Sequence, residues 1–287
     1  MAGRLLKRIA AEVLGGDRAS SIWSRLDIVG DIAIIKKPFD GNVSLSDMVK
    51  IAERLIEELP YIKSVWMAAT PVEGPYKTRE YIHLAGEPRS ETVYSEHGCR
   101  FKVDIRRAFV TPRLNYEHLR VAGLVRPGEI VVNMFAGVGI FSVIIACKST
   151  PRKVYSIDIN PDAYKYMVEN VELNRVQGLV EPLLGDAAEV IESSLSNVAD
   201  RVLMPLPELA LEYLPYAVKA LRGGRGFIHV YLHVRSPKGS DPFKKAAILV
   251  GERLEELGVR YKVVGVRRVR PVGPRTLQMA VDVVIEE

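Results

Sequence analysis

The sequence predicts an α/β protein: a mostly parallel sheet with an antiparallel hairpin at its C-terminal edge, preceded by a smaller α+β domain. Three observations carry this. From Asn115 to Leu257 strand-like and helix-like stretches alternate at about 10 to 15 residue intervals, the grammar of a parallel sheet. The first of these strands, Ile130 to Phe135, runs straight into the turn Ala136-Gly137-Val138-Gly139. The last two strands, Tyr261 to Arg268 and Gln278 to Ile285, have no helix between them, which makes them a hairpin.

The elements follow in order. An amphipathic helix over residues 1 to 20 carries Leu5, Leu6, Ile9, Ala10, Val13 and Leu14 and stops at Gly15-Gly16. Arg25 to Lys36 is β-branched around Gly30, a strand or hairpin. Leu45 to Leu59 has Met48, Ile51, Ala52, Leu55 and Ile56 at helical spacing, with Ser44 or Ser46 as cap. Short strands follow at Ser64–Ala69, Tyr81–Leu84, Thr92–Ser95 and Cys99–Ile105, punctuated by Pro71, Gly74, Pro75, Gly86 and Pro88. Then come a helix at 115–125, strand 130–135, helix 141–148, strand 154–159 and a helix from Pro161 to Asn174, with Tyr164, Met167, Val168 and Val171 on its apolar face. Strands at 180–184, 201–204 and 226–232 alternate with helices at 209–221 and 243–257. The implied boundaries are an N-terminal helical segment at 1–20, an α+β domain at 21–110 and the parallel-sheet domain at 111–287.

Composition excludes several classes. A chain of 287 residues with 48% hydrophobic and 26% charged residues buries a core and is not globally disordered. Two cysteines, Cys99 and Cys147, build neither a disulfide scaffold nor a four-ligand zinc site, so no metal is expected and a reducing, cytoplasmic setting fits. Apolar runs fall short of the roughly 20 residues a membrane helix needs. A net charge of +5 permits a polyanionic partner without demanding one.

Phe135, Ala136, Gly137, Val138 and Gly139 lie at the carboxyl end of the first parallel strand, where open α/β sheets bind ligands; the alternative is a plain βα turn. Asp158, 19 residues past Gly139 and followed by Ile159-Asn160-Pro161, ends the second strand where an acid meets ribose hydroxyls. The third glycine of the dinucleotide fingerprint is missing. A ribose-bearing cofactor without phosphates therefore fits better, with S-adenosylmethionine foremost. Asp186-Ala187 follows the third strand, where the carboxylate serves either as an adenine acceptor or as a helix N-cap. Pro205-Leu206-Pro207 makes a rigid turn after the fourth strand. In Pro112-Arg113-Leu114-Asn115-Tyr116-Glu117, Arg113 and Glu117 stand four apart, an ordinary surface pair unless the site claims them.

Glu96-His97-Gly98-Cys99-Arg100-Phe101-Lys102-Val103-Asp104, Pro112-Arg113-Leu114-x-x-Glu117, Asn133-Met134-Phe135-Ala136-Gly137-Val138-Gly139-x-Phe141-Ser142 and Asp158-x-Asn160-Pro161, in that order, resemble the archaeal and eukaryotic tRNA guanosine-37 N1-methyltransferase family. Arg25 to Ile34 and His83 to Glu87 look like that family's middle domain. The resemblance implies a class I, Rossmann-like methyltransferase sheet, S-adenosylmethionine as cofactor, and tRNA, through its anticodon stem-loop, as partner of a monomer. It implies Glu117 as general base on guanine N1, a cation at O6 supplied by Lys77 or Arg79, Arg113 as a positioning residue, and Pro207 in the loop against the target base. Three departures stand out. Asn133 replaces an Asp, Pro205 replaces the Asn of Asn-Leu-Pro, and about 20 residues precede the middle domain, so an elbow-checking N-terminal domain is reduced or absent. Related activities left open are methylation of the tricyclic wyosine intermediate, aminocarboxypropyl transfer from the same cofactor, and tRNA binding without catalysis. Lys36, Lys37, Arg106, Arg107, Arg267, Arg268, Arg270 and Arg275 are candidate phosphate contacts. Tyr116, Phe109 and Tyr76 read first as core and second as stacking platforms, and His229 and His233 as strand-end packing or capping residues.

Overall fold

The computed structural model describes residues 2–286. The chain divides into two compact units, one ending at Pro112 and one beginning at Arg113.

The first unit comprises α1 (Ala2–Leu14), α2 (Gly16–Ala19), β1 (Leu26–Val29), β2 (Ile32–Lys36), α3 (Leu45–Glu58), β3 (Ser64–Ala68), β4 (Tyr81–Gly86), β5 (Glu91–Glu96) and β6 (Cys99–Asp104). Strands β1 to β4 form one sheet in sequence order, with β2 and β3 parallel; β5 and β6 form a separate hairpin. Ser44 caps α3 in a capping box with Asp47. The apolar stripes of α1 (Leu6, Ile9, Ala10) and α3 (Met48, Ile51, Leu55) share one core with Ala33, Ile35, Val65 and Met67.

The second unit comprises α4 (Asn115–Leu124), β7 (Ile130–Asn133), α5 (Ile140–Lys148), β8 (Lys153–Asp158), α6 (Pro161–Leu173), β9 (Val180–Leu184), α7 (Ala187–Val190), β10 (Arg201–Met204), α8 (Ala210–Ala220), β11 (Gly226–Arg235), α9 (Pro242–Glu256), β12 (Arg260–Gly273) and β13 (Thr276–Glu286). The seven strands lie in the order β12-β13-β11-β10-β7-β8-β9. The five from β11 to β9 are parallel, and β13 and β12 add the antiparallel edge hairpin. Strand order reverses between β7 and β10, so the crevice of an open sheet opens at their carboxyl ends.

The two faces of this sheet differ. On one, Val132, Met134, Val202, Met204, Ile228 and Val230 join Ile191, Leu214, Val250 and Leu254 in an apolar core. On the other, the register aligns Ser156, Asn133, Leu203, His229 and Asp282 in one row across five strands. Side chains in one row point the same way, so four of these five buried residues bring polar groups under the helices of that face.

Three expectations need correction. The buried side of α6 is Ala163, Tyr166, Met167, Asn170 and Val171, rather than the stripe with Tyr164 and Val168. The periodicity misled because polar Asn170 faces inward, where its Nδ2 donates to the Val138 carbonyl at 3.0 Å. Tyr116, Tyr76 and Phe109 are exposed (85%, 47% and 39%), not core residues. His229 is neither at a strand end nor a cap: it lies within β11, fully enclosed, in the polar row.

Candidate active site

The β7–α5 connection turns tightly at the crevice. Gly137 and Gly139 hold φ of 56° and 88°, the left-handed region where a side chain is strained. The Gly137 amide donates to Asp158 Oδ2 at 2.6 Å, and the Asn160 amide donates to Asp158 Oδ1 at 2.9 Å. Asp158 at the tip of β8 thus clamps the glycine turn while each oxygen keeps a second acceptor position. Burial pushes its carboxyl pKa up, against the pull of the two amides. Ile159 beside it is 43% exposed, an apolar side chain left uncovered at the strand tip.

Asp186 is the N-cap of α7: Oδ1 accepts from the Ala188 amide at 2.7 Å and Oδ2 from the Tyr213 hydroxyl at 2.6 Å. Tyr213 also packs edge-on against Phe135, ring centroids 5.3 Å apart. Both readings of Asp186 stay compatible, because the capping carboxylate retains lone pairs. Ala187 is buried behind it. Asn133 is fully buried; its Nδ2 donates to Ser142 Oγ at 3.1 Å, and Oδ1 is an enclosed acceptor without a partner among the described residues. An unmet acceptor beneath the glycine turn, two carboxylates at neighbouring strand tips and an uncovered isoleucine fit a bound nucleoside with an ammonium-bearing tail.

Glu117, in the first turn of α4, is buried, and its partner is Arg120. Arg120 Nη2 donates to Glu117 Oε2 at 2.8 Å, and Nε lies 3.1 Å from each oxygen. The Tyr231 hydroxyl donates to the same Oε2 at 2.8 Å. Tyr231 sits one residue beyond the Met204–Val230 pair, level with the start of the Pro205–Pro207 turn. That brings Glu117 to the carboxyl edge of the sheet, on the side covered by α4 and α5. Arg120 Nη1 also donates to Asp282 Oδ2 at 2.7 Å. Asp282 accepts from His229 Nδ1 at 2.6 Å, and His229 Nε2 meets Arg201 Nη1 at 2.7 Å. A guanidinium only donates, so Nε2 carries no hydrogen and Nδ1 does. Burial holds the His229 pKa below its ordinary value, in keeping with a neutral ring. Burial alone would raise the Asp282 carboxyl, but the hydrogen bond from His229 and the Arg120 charge bring it down to about 2. Arg201 completes the chain with a two-pronged pair to Glu129 at 2.7 and 3.0 Å.

The remaining expected residues fall as follows. Arg113 occupies the helical turn Pro112–Leu114 directly before α4, and Pro207 is half-buried in the turn leading to α8. Lys77 and Arg79 belong to the first unit. Lys77 sits at φ 52° in the turn closed by the Glu73–Thr78 bridge, and Arg79 follows just before β4. Sequence reasoning missed Arg120, Tyr231, Asp282, His229 and Arg201. The available signals were Arg120 three residues after Glu117 on one helix, and a lone acid, Asp282, inside an apolar strand. Among the described residues no cluster of His, Cys, Asp and Glu has metal-binding geometry, and no helix is long and apolar enough to cross a membrane.

This sheet, with its glycine turn and its acids at successive strand tips, defines a Rossmann-like fold of the class I methyltransferase type. The TRM5/TYW2 methyltransferase domain matches residues 92–252, and the chain belongs to that family. It is 47% identical over 225 residues to the tRNA 4-demethylwyosine(37)-methyltransferase Taw21 of Saccharolobus solfataricus, covering 78% of this chain and 84% of that one. It is 39% identical over 256 residues to the tRNA (guanine(37)-N(1))-methyltransferase Trm5b of Pyrococcus abyssi, covering 89% and 73%. The structure of an aTrm5 in complex with tRNALeu superposes with a TM-score of 0.83 at 30% identity, covering 98% of this chain and 78% of that one. The structure of Methanocaldococcus jannaschii TYW2 in complex with AdoMet gives 0.64 at 26% identity, covering 91% and 99%.

Proposed function

We propose that the protein transfers the methyl group of S-adenosylmethionine to N1 of guanosine-37 in tRNA, with Glu117 as general base. The observation that supports this best is a buried carboxylate at the carboxyl edge of the sheet, beside the crevice, held more closely at Oε2 than at Oε1. When bound, S-adenosylmethionine supplies an electrophilic methyl group on a sulfonium. Asn133 Oδ1, Asp158 and Asp186 would hold its amino and adenosine ends, with Phe135 to Gly139 and Ile159-Asn160 as the floor. Glu117 takes the N1 proton, leaving a nucleophilic nitrogen. The charge that develops on O6 calls for a cation or a hydrogen-bond donor. Arg113 and the Pro205–Pro207 turn orient a base splayed from its single-stranded loop. The first unit helps to hold the RNA.

A second reading is methylation of 4-demethylwyosine at the same nucleotide. Two observations favour it: 47% identity to Taw21 against 39% to Trm5b, and Pro205 where an asparagine side chain would orient guanine. Nucleoside mass analysis decides, using one tRNA transcript with guanosine-37 and one tRNA carrying 4-demethylwyosine, each incubated with protein and S-adenosylmethionine. A gain of one CH2 on guanosine supports the first reading. A gain on the tricyclic base alone supports the second. The larger aminocarboxypropyl adduct, or no adduct on either, refutes both.

A further inference from the structure

The two oxygens of Glu117 are not equivalent. Oε2 accepts from the Tyr231 hydroxyl and from Arg120 Nη2, both at 2.8 Å, whereas Oε1 meets Arg120 Nε at 3.1 Å. We propose that Tyr231 and Arg120 are positioning residues that anchor Oε2, so that Oε1 receives the substrate hydrogen, and that Asp282 is the fixed counter-charge that makes this uptake possible. This rests on the reading of Glu117 as the base.

Arg120 is half-buried and shared between two carboxylates, Glu117 at 2.8 Å and Asp282 at 2.7 Å. If Glu117 were its sole partner, protonating Glu117 would strand a largely desolvated cation, which is strongly unfavourable. Asp282 keeps Arg120 paired when Glu117 turns neutral. Asp282 is itself held by His229, whose tautomer Arg201 dictates. Arg267 approaches Asp282 from β12 at 3.4 Å. Charged and titratable groups thus reach this cluster from α4 (Arg120), β11 (Tyr231, His229), β13 (Asp282), β12 (Arg267) and β10 (Arg201). Tyr231 remains a donor at working pH, because burial and the adjacent Glu117 carboxylate raise its phenol well above the ordinary value. In the step itself the N1–H bond breaks and an O–H bond forms on Oε1. The pair left on N1 makes the N–CH3 bond as the methyl leaves sulfur.

The test is single-turnover methyl transfer to the guanosine-37 transcript as a function of pH. The variants are Tyr231→Phe, Asp282→Asn and Glu117→Gln, and the first two each combined with the third. Tyr231→Phe removes one donor to the carboxylate: transfer slows about tenfold, the scale of one hydrogen bond to a charged group, and the acid limb moves to higher pH. Asp282→Asn leaves Arg120 leaning on Glu117: the limb moves to lower pH and the plateau falls. In the Glu117→Gln background each change alters the residual rate by less than about twofold, since residues acting as one unit are not additive. Limbs that stay put in both single variants, or losses undiminished beside Glu117→Gln, overturn the proposal while a slow Glu117→Gln leaves the base assignment standing. A Glu117→Gln protein as fast as the wild type removes both. Should Asp282→Asn fail to fold, Tyr231→Phe, which deletes a single oxygen, carries the test.

Discussion

Replacing Arg201 with methionine should cost stability by an amount that depends on pH. Arg201 is 1% exposed and makes two bonds to Glu129, one to the Leu124 carbonyl at 2.7 Å and one to His229, with its guanidinium 4.4 Å from the Phe227 ring centre. Methionine fills the stem and leaves Glu129 buried without its cation. Breaking a buried pair in this way costs about 3 to 5 kcal/mol, which for a unit of this size lowers the melting temperature by roughly 10 °C. The second effect is specific to the network. In the wild type, burial and Arg201 keep His229 neutral, so its folded pKa lies below its unfolded value, and stability falls as pH drops through the unfolded pKa. In Arg201→Met, Nε2 is bare while Asp282 still faces Nδ1, so one of the charges that oppose protonation is gone and the folded pKa of the ring rises toward the unfolded one. The variant then loses less stability than the wild type as pH drops through the unfolded pKa. Urea denaturation at about pH 6 and about pH 8 should therefore show a gap between wild type and variant that is smaller at the lower pH by about 1 kcal/mol. A gap that is equal at both pH values, or larger at the lower, refutes the assignment of Arg201 as the group that fixes the His229 tautomer.

Gly139→Ala should destabilise by about 1 to 3 kcal/mol, since φ is 88° and a Cβ would stand 2.9 Å from Met167 Cγ; thermal melting checks this, and adding Met167→Ala should recover only the steric part. Asp186→Ala should lose the α7 cap, about 1 kcal/mol, and weaken S-adenosylmethionine binding about tenfold by calorimetry; an unchanged affinity would leave Asp186 with the cap alone. The exposed Arg268 and Arg275 on the edge hairpin are candidate phosphate contacts. Replacing either with alanine should reduce the slope of log affinity for tRNA against log salt by roughly 1, without changing cofactor affinity.

What the sequence determined by itself was local. Apolar spacing, capping residues and punctuation by glycine and proline placed the strands and helices within a few residues, because these signals act over one or two turns of chain. The Phe135–Gly139 turn, the tip acids Asp158 and Asp186 and the Pro-Arg-Leu-x-x-Glu117 motif were legible for the same reason: each lies within one βα or loop–helix junction. The partners of Glu117 were not. Arg120 was within sight on the same helix, but Tyr231 lies 114 residues away and Asp282 lies 162 residues from Arg120. They meet because β13 inserts antiparallel beside β11 and sets His229 opposite Asp282, a register that no periodicity encodes. A polar residue in an apolar strand looks like an interruption when read along the chain. It becomes part of a row only when neighbouring strands bring donors and acceptors to the same face, and the low dielectric there leaves each of them in need of a partner.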